Sequence, residues 1–203
     1  MFNKPHSNLY EKTEFKDIRE AIRYGIEKYS NCVAFTLKHK EGKEVTYTDI
    51  KYKKFGEEIN NLGTGLIKLG LKDKRIAIIG PNSYEWILSY IAVLSGVGIV
   101  VPLDKGLPPQ EIEDSIVRSE ADCIIFDEKY IDTIDEIKKN DKTKLKQYIC
   151  MQKMENSNYT NIDDIKEQGS IELLKGNTSF IDAPIDAEKA SIILFTSGTT
   201  SFI

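Results

Sequence analysis

Apolar residues along the chain change their spacing several times, and each change marks an element. Phe15, Ile18, Ile22, Ile26 and Tyr29 recur every three or four positions and predict an amphipathic helix from about Glu14 to Tyr29. Val33, Phe35 and Leu37 alternate with smaller or polar residues as a strand would, "HKEGKE" supplies a turn, and "VTY" from Val45 begins a return strand, so a hairpin is expected. Thr48 is then a candidate cap for a second helix with the stripe Phe55, Ile59, Leu62, Leu66 and Leu69, closed by Gly70.

After Gly70 the pattern becomes rhythmic. "RIAIIG" (Arg75 to Gly80), Ile99 to Leu103, "CIIF" (Cys123 to Phe126) and "LKQYICM" are short apolar runs with the length of buried strands. Between them lie "PNSYEWILSYIAVLSG", "PPQEIEDSIVRSE" and "EKYIDTIDEIKK", which have helical spacing, two of them with proline near the start. Strands alternating with amphipathic helices predict βαβ units: an α/β fold with a mostly parallel sheet and helices on both faces. The signal weakens from Gln152 to Glu188, where a short helix after Thr160 or Asn161 is the one expected element. "ASIILF" then resumes a buried strand, Ile192 to Phe195.

Trp86 to Leu103 carries no charge over 18 residues, near the lower limit for crossing a bilayer. Gly96, Gly98 and Pro102 divide it into a helix and a strand, which favours a buried pair in a parallel sheet. The start lacks the apolar stretch of a secretory signal, so the expectation is a cytoplasmic protein without a transmembrane segment.

Composition narrows function mainly by exclusion. The 203 residues are 40% hydrophobic and 30% charged, an ordinary globular balance. A net charge of −4 gives no basic field for nucleic acid. Cys32, Cys123 and Cys150 have no CxxC spacing and read as buried, reduced packing residues. His6 and His39 lie near no zinc-ligand pattern, and no metal site is expected.

The chemistry-bearing stretch is "SIILFTSGTTSFI". A strand runs into Thr196, Ser197, Gly198, Thr199, Thr200 and Ser201, where successive N–H groups and hydroxyls could form an anion-binding nest. Gly198 lacks a Cβ and is the position best able to let a phosphate approach. The same composition also describes a solvated turn. Neither GxxxxGK[ST] nor GxGxxG occurs. Elsewhere the duller reading is preferred: Asp104 and Lys105 as a turn, Asn82 and Ser83 as a helix cap, Trp86 as packing material.

Order and context add to this. "ILFTSGTT" resembles the phosphate loop of the adenylate-forming, or AMP-binding, superfamily of acyl-CoA synthetases, luciferases and peptide-synthetase adenylation domains. "VTYTDI", "IAIIGPNSYEWILSYIAVLSG" and "VLSGVGIVVPLDKGLP" resemble further family segments, in the family's order and over nearly the whole chain. The resemblance implies that ATP activates a carboxylic acid as an acyl-adenylate, with magnesium assisting, and that the acyl group passes to a thiol such as coenzyme A. It assigns ATP phosphate binding to Thr196, Ser197, Gly198, Thr199 and Thr200. Ser201 stands where the family commonly has glycine, and the family's following lysine has no counterpart before Ile203.

Residues 1–203 are therefore expected to be an incomplete N-terminal portion of an adenylation domain, with the C-terminal domain and the catalytic residues absent and the fragment itself inactive. The early segments favour the fatty-acid branch of acyl-CoA synthetases. The alternatives are an amino-acid or aryl-acid adenylation domain, or a non-catalytic folded module. Apolar surface that later family segments would cover favours self-association. Light scattering is expected to show a molar mass that rises with concentration, and a strict monomer at high concentration would contradict this.

Overall fold

The structure, a computed structural model, describes residues 13–153 and 159–195. Its centre is a parallel five-stranded sheet of β3 (Arg75–Ile79), β4 (Ile99–Pro102), β5 (Cys123–Phe126), β6 (Gln147–Cys150) and β7 (Thr160–Asn161), in the spatial order β4-β3-β5-β6-β7. A separate antiparallel hairpin, β1 (Val33–Glu41) and β2 (Glu44–Lys51), packs Phe35, Leu37 and Ile50 against the larger core. Gly42, with φ 60°, occupies the two-residue turn of that hairpin, a left-handed position that a side chain would resist.

Alternation along the strands builds two cores. Ile76 and Ile78 of β3 and Ile125 of β5 face α2 (Tyr52–Lys68), α3 (Tyr84–Ala92) and α6 (Ile162–Leu174). Ala77 and Ile79 of β3, with Ile124 and Phe126 of β5, face Ile112 and Ile116 of α4 (Pro109–Ser119) and Ile134 and Ile137 of α5 (Ile131–Asn140). Helices cover both faces, as the βαβ rhythm predicts. Strands buried on both sides need continuous apolar runs, which is why "RIAII" and "CIIF" were legible as strands.

Several boundaries differ from the sequence expectation. The first helix, α1, spans Ile18–Lys28 and starts at Asp17, whose carboxylate accepts the N–H of Glu20 at 2.9 Å. Phe15 therefore precedes the helix. Thr48 caps nothing: it lies in β2 opposite Leu37, and α2 begins after Lys51 without a side-chain cap. Leu69 is the exposed C-cap residue of α2 instead of part of its buried stripe. The helix after Asn161 is 13 residues long because Asn161 accepts from the Asp163 N–H at 2.8 Å and Ile162 and Ile165 reach the core. Cys123 and Cys150 are buried, and burial pushes the Cys123 thiol well above its ordinary pKa; Cys32 sits exposed at the bend between α1 and β1.

The uncharged stretch divides at its glycines. α3 gives way to a π-helical turn, Val93–Val97, containing Gly96 at φ 131°, and β4 follows. Among the described residues no helix is long and apolar enough to cross a membrane.

Helix α2 carries glycines where other elements press closest. A Cβ on Gly63 would lie 2.3 Å from the ring of Phe180, and one on Gly65 would lie 2.2 Å from the Ile165 carbonyl oxygen of α6. From the other side, a Cβ on Gly169 would meet the Asn61 carbonyl oxygen at 1.8 Å. Backbone here packs directly on backbone. Helix α1 is attached differently, because none of its residues is fully buried. The Arg19 guanidinium donates to the carbonyls of Phe180 (3.0 Å), Ser95 (3.4 Å) and Ala183, and Arg23 donates to Ile181.

The α2–α6 contact gives a direct test. Gly169→Ala forces two backbones apart, and overpacking of this kind costs about 1–3 kcal/mol. Urea unfolding of the variant is expected to show that loss, although alanine favours helix more than glycine does by about 1 kcal/mol. A gain in stability would mean that the helices separate freely.

Candidate functional site

The phosphate-binding candidates Thr196, Ser197, Gly198, Thr199 and Thr200 lie outside the described residues. The approach to them is described, from Ser191 to Phe195. The Val100 N–H donates to the Ser191 carbonyl at 3.0 Å, and the Ile193 N–H donates to the Val100 carbonyl at 3.0 Å. These two bonds attach the segment parallel to the open edge of β4, with Ile192 opposite Val100.

The sequence predicts a full strand over Ile192 to Phe195, but a single bridge forms. The reason is Pro102. In a parallel ladder alternate residues of β4 face the added segment, so after Val100 the next donor would come from position 102, which has no N–H. The zip stops after one rung. Side chains hold the segment beyond that point. Ile192 packs against one core and Ile193 and Phe195 against the other, while the Arg118 guanidinium lies 5.3 Å from the centre of the Phe195 ring.

Other polar candidates serve the fold. Asp104 accepts from the Gly106 N–H at 2.8 Å, and the Tyr130 hydroxyl donates to the Lys105 carbonyl at 2.8 Å, so this pair forms a braced turn. Ser83 caps α3 by accepting from the Trp86 N–H at 3.2 Å, and Trp86 stacks on Tyr90 at 5.3 Å. Both agree with the sequence reading.

Sequence reasoning did not single out Asp127. It lies at the carboxyl end of β5, beside β3, where the strand order reverses and open α/β sheets commonly bind ligands. Its carboxylate is already engaged, accepting from the Lys129 N–H at 3.1 Å and from Gln152 Nε2 at 2.8 Å. A Cβ on Gly80 would come within 3.1 Å of the Asp127 Cβ, which leaves little room in the crevice. No cluster of metal-ligating side chains occurs among the described residues. The remaining sequence-predicted candidates follow Phe195 in the chain.

A parallel sheet of this topology, with a segment bridged to the β4 edge at Ile192, is the scaffold on which the comparisons bear. Residues 26–202 match the family model described as AMP-binding enzyme, and the chain belongs to that family. It is 28% identical over 210 aligned positions to long-chain-fatty-acid–CoA ligase 5 of Rattus norvegicus, covering 95% of this chain and 29% of that relative. Among solved structures it resembles a long-chain-fatty-acid CoA ligase from Archaeoglobus fulgidus, with a TM-score of 0.70, 18% identity and coverage of 91% of this chain and 35% of the other. It also resembles an anthranilate CoA ligase in complex with anthranoyl-AMP, with a TM-score of 0.64, 17% identity and coverage of 75% and 28%. The structural likenesses show the fold. The chain spans less than a third of the length of the rat relative.

The edge bridge can be tested without substrate. Ile193→Pro removes the donor to Val100 and is expected to release Ser191 as well. Hydrogen exchange should then speed up at the Val100 amide by about tenfold or more, the worth of one net hydrogen bond. Amides within β3 should keep their protection. Unchanged exchange at Val100 would contradict an edge held by these two bonds.

Proposed function

We propose that the protein carrying this chain is a cytoplasmic, ATP-dependent acid–thiol ligase. It activates a carboxylic acid, a fatty acid on the best-supported reading, as acyl-AMP and transfers the acyl group to coenzyme A. The observation that carries this reading is the match of residues 26–202 to the AMP-binding family, in a chain whose Ser191–Ile193 segment is attached to the β4 edge. Membership of the AMP-binding family and the likeness to a rat long-chain-fatty-acid–CoA ligase support the reaction class and the acid.

Thr196, Ser197, Gly198, Thr199 and Thr200 are the proposed contacts to the ATP phosphates, through backbone N–H groups and hydroxyls. Magnesium and further residues supplied by the longer protein would offset the remaining phosphate charge. Positioning and electrostatic stabilisation would then provide the catalysis. By itself the 203-residue chain would not complete the reaction, because such groups act as a unit. A second reading, an aryl-acid ligase, draws on the structural likeness to the anthranilate CoA ligase.

ATP–pyrophosphate exchange tests both readings. The chain alone is expected to give no exchange above a blank, and the protein extended through the segments that relatives possess should respond to fatty acids. In the extended protein Gly198→Val should lower exchange by about 10²–10³, because its branched side chain would hold the phosphate off the neighbouring N–H donors, and losing the use of one well-placed donor typically costs that much. Exchange with aryl acids alone would select the second reading. Absence of exchange with every acid would overturn both.

A further inference from the structure

Beyond Ile193 no further backbone bond to β4 forms among the described residues, so side chains set the course of the segment that leads to Thr196. Leu194 is 68% exposed and holds nothing. Phe195 is half-buried, with its ring packed against the core that α4 and α5 cover. Over that ring, 5.3 Å from its centre, lies the Arg118 guanidinium of α4. Among the described residues Phe195 is the last anchor before the hydroxyl-rich run begins.

The carboxylates near Arg118 along α4 are engaged elsewhere. Asp114, one turn earlier, accepts from Gln110 Nε2 at 3.1 Å. Glu113 accepts from Asn140 and Lys142, and Glu120 pairs with Arg75 and Lys144. Among the described residues Arg118 itself forms no ion pair or hydrogen bond. It sits in the last turn of α4, where the helix dipole favours a cation. A guanidinium without a competing carboxylate keeps its charge for the negative face of the ring.

We propose that Arg118 is a positioning residue for ATP. By holding the Phe195 ring it fixes the start of the phosphate-binding run, residues 196–200, without touching the nucleotide. The inference rests on the function proposed above for those residues. A loop whose first residue is fixed has fewer arrangements to lose when phosphate binds, so its ordering costs less affinity. Where only a fraction of molecules has the ring docked, apparent affinity falls by that fraction. A cation over an exposed ring shifts such an equilibrium by about two- to fivefold, which sets the size of the effect. Saturating ATP restores the docked loop, so the loss is confined to binding.

The test uses the protein extended through the segments that relatives possess, with fluorinated phenylalanine incorporated and the Phe195 resonance assigned by its loss in Phe195→Leu. An ATP titration followed at that resonance should have a midpoint about two- to fivefold higher in Arg118→Gln than in the parent. Arg118→Lys keeps a cation and should stay within about twofold of the parent. In ATP–pyrophosphate exchange Arg118→Gln should raise KM for ATP by the same factor and leave kcat and KM for the acid unchanged. Adding it to Phe195→Leu should raise KM for ATP no further. A purely structural Arg118 would lower the melting temperature and leave the ATP midpoint in place, and that result overturns the proposal. So does a fall in kcat, or an effect that persists in Phe195→Leu, since either means that Arg118 meets the nucleotide itself. If ATP moves no resonance in the parent, the proposed function fails as well. A parent response that Arg118→Gln leaves unaltered removes the positioning role alone.

Discussion

Close approach to helix α2 is the constraint on which the rest of the architecture depends. Three separate elements reach this one helix where it has no side chain: Ile26 of α1 at Gly56, the Phe180 ring at Gly63, and the backbone of α6 at Gly65. Each glycine weakens an isolated helix by about 1 kcal/mol relative to alanine. Burial offsets that cost, since Leu62 and Leu66 are fully enclosed and Phe180 and Ile165 complete the same core. Without these approaches α6 would stand away from the sheet, and the segment carrying Phe180 would lose its anchor.

The second organising fact is a division of labour across the sheet. One face receives α2, α3, α6 and the hairpin, the other α4 and α5, and the strands between them are apolar on both sides. Such a sheet is rigid, yet its β4 edge is finished by a segment that joins through one bridge and by side-chain packing. Pro102 sets that limit. The strand most directly linked to the proposed chemistry is thus the one least committed to the sheet.

Much of the fold was legible because buried strands must be continuously apolar and their covering helices amphipathic. The edges of Cys123–Phe126 and Arg75–Ile79 coincide with their apolar runs. What escaped the sequence was set by groups distant along the chain. Thr48 looks like a helix cap, but pairing with Leu37 places it in a strand. The weakly patterned segment after Asn161 becomes a 13-residue helix because Gly65 and Gly169 let it dock. Of the site, the approaching strand and its apolar character were readable, and the proline that shortens it was visible without its consequence. Arg19 left no local signal: only the fold brings its guanidinium to the Ser95, Phe180 and Ala183 carbonyls.

The bridge between Val100 and Ile192 also bears on how the chain comes together in time. Nearly half the chain must be made after β4 before its partner exists. At translation speeds of about 5–20 residues per second, that is an interval of roughly 5–20 seconds. Throughout it, the Val100 N–H and carbonyl that later bond Ser191 and Ile193 have no such acceptor or donor, in a sheet whose other strands can already pair. A nascent chain in this state offers an unpaired strand edge to any neighbour. Holding that edge apart from other nascent chains, by chaperones or by the ribosome itself, becomes a requirement of biosynthesis that the finished molecule no longer displays.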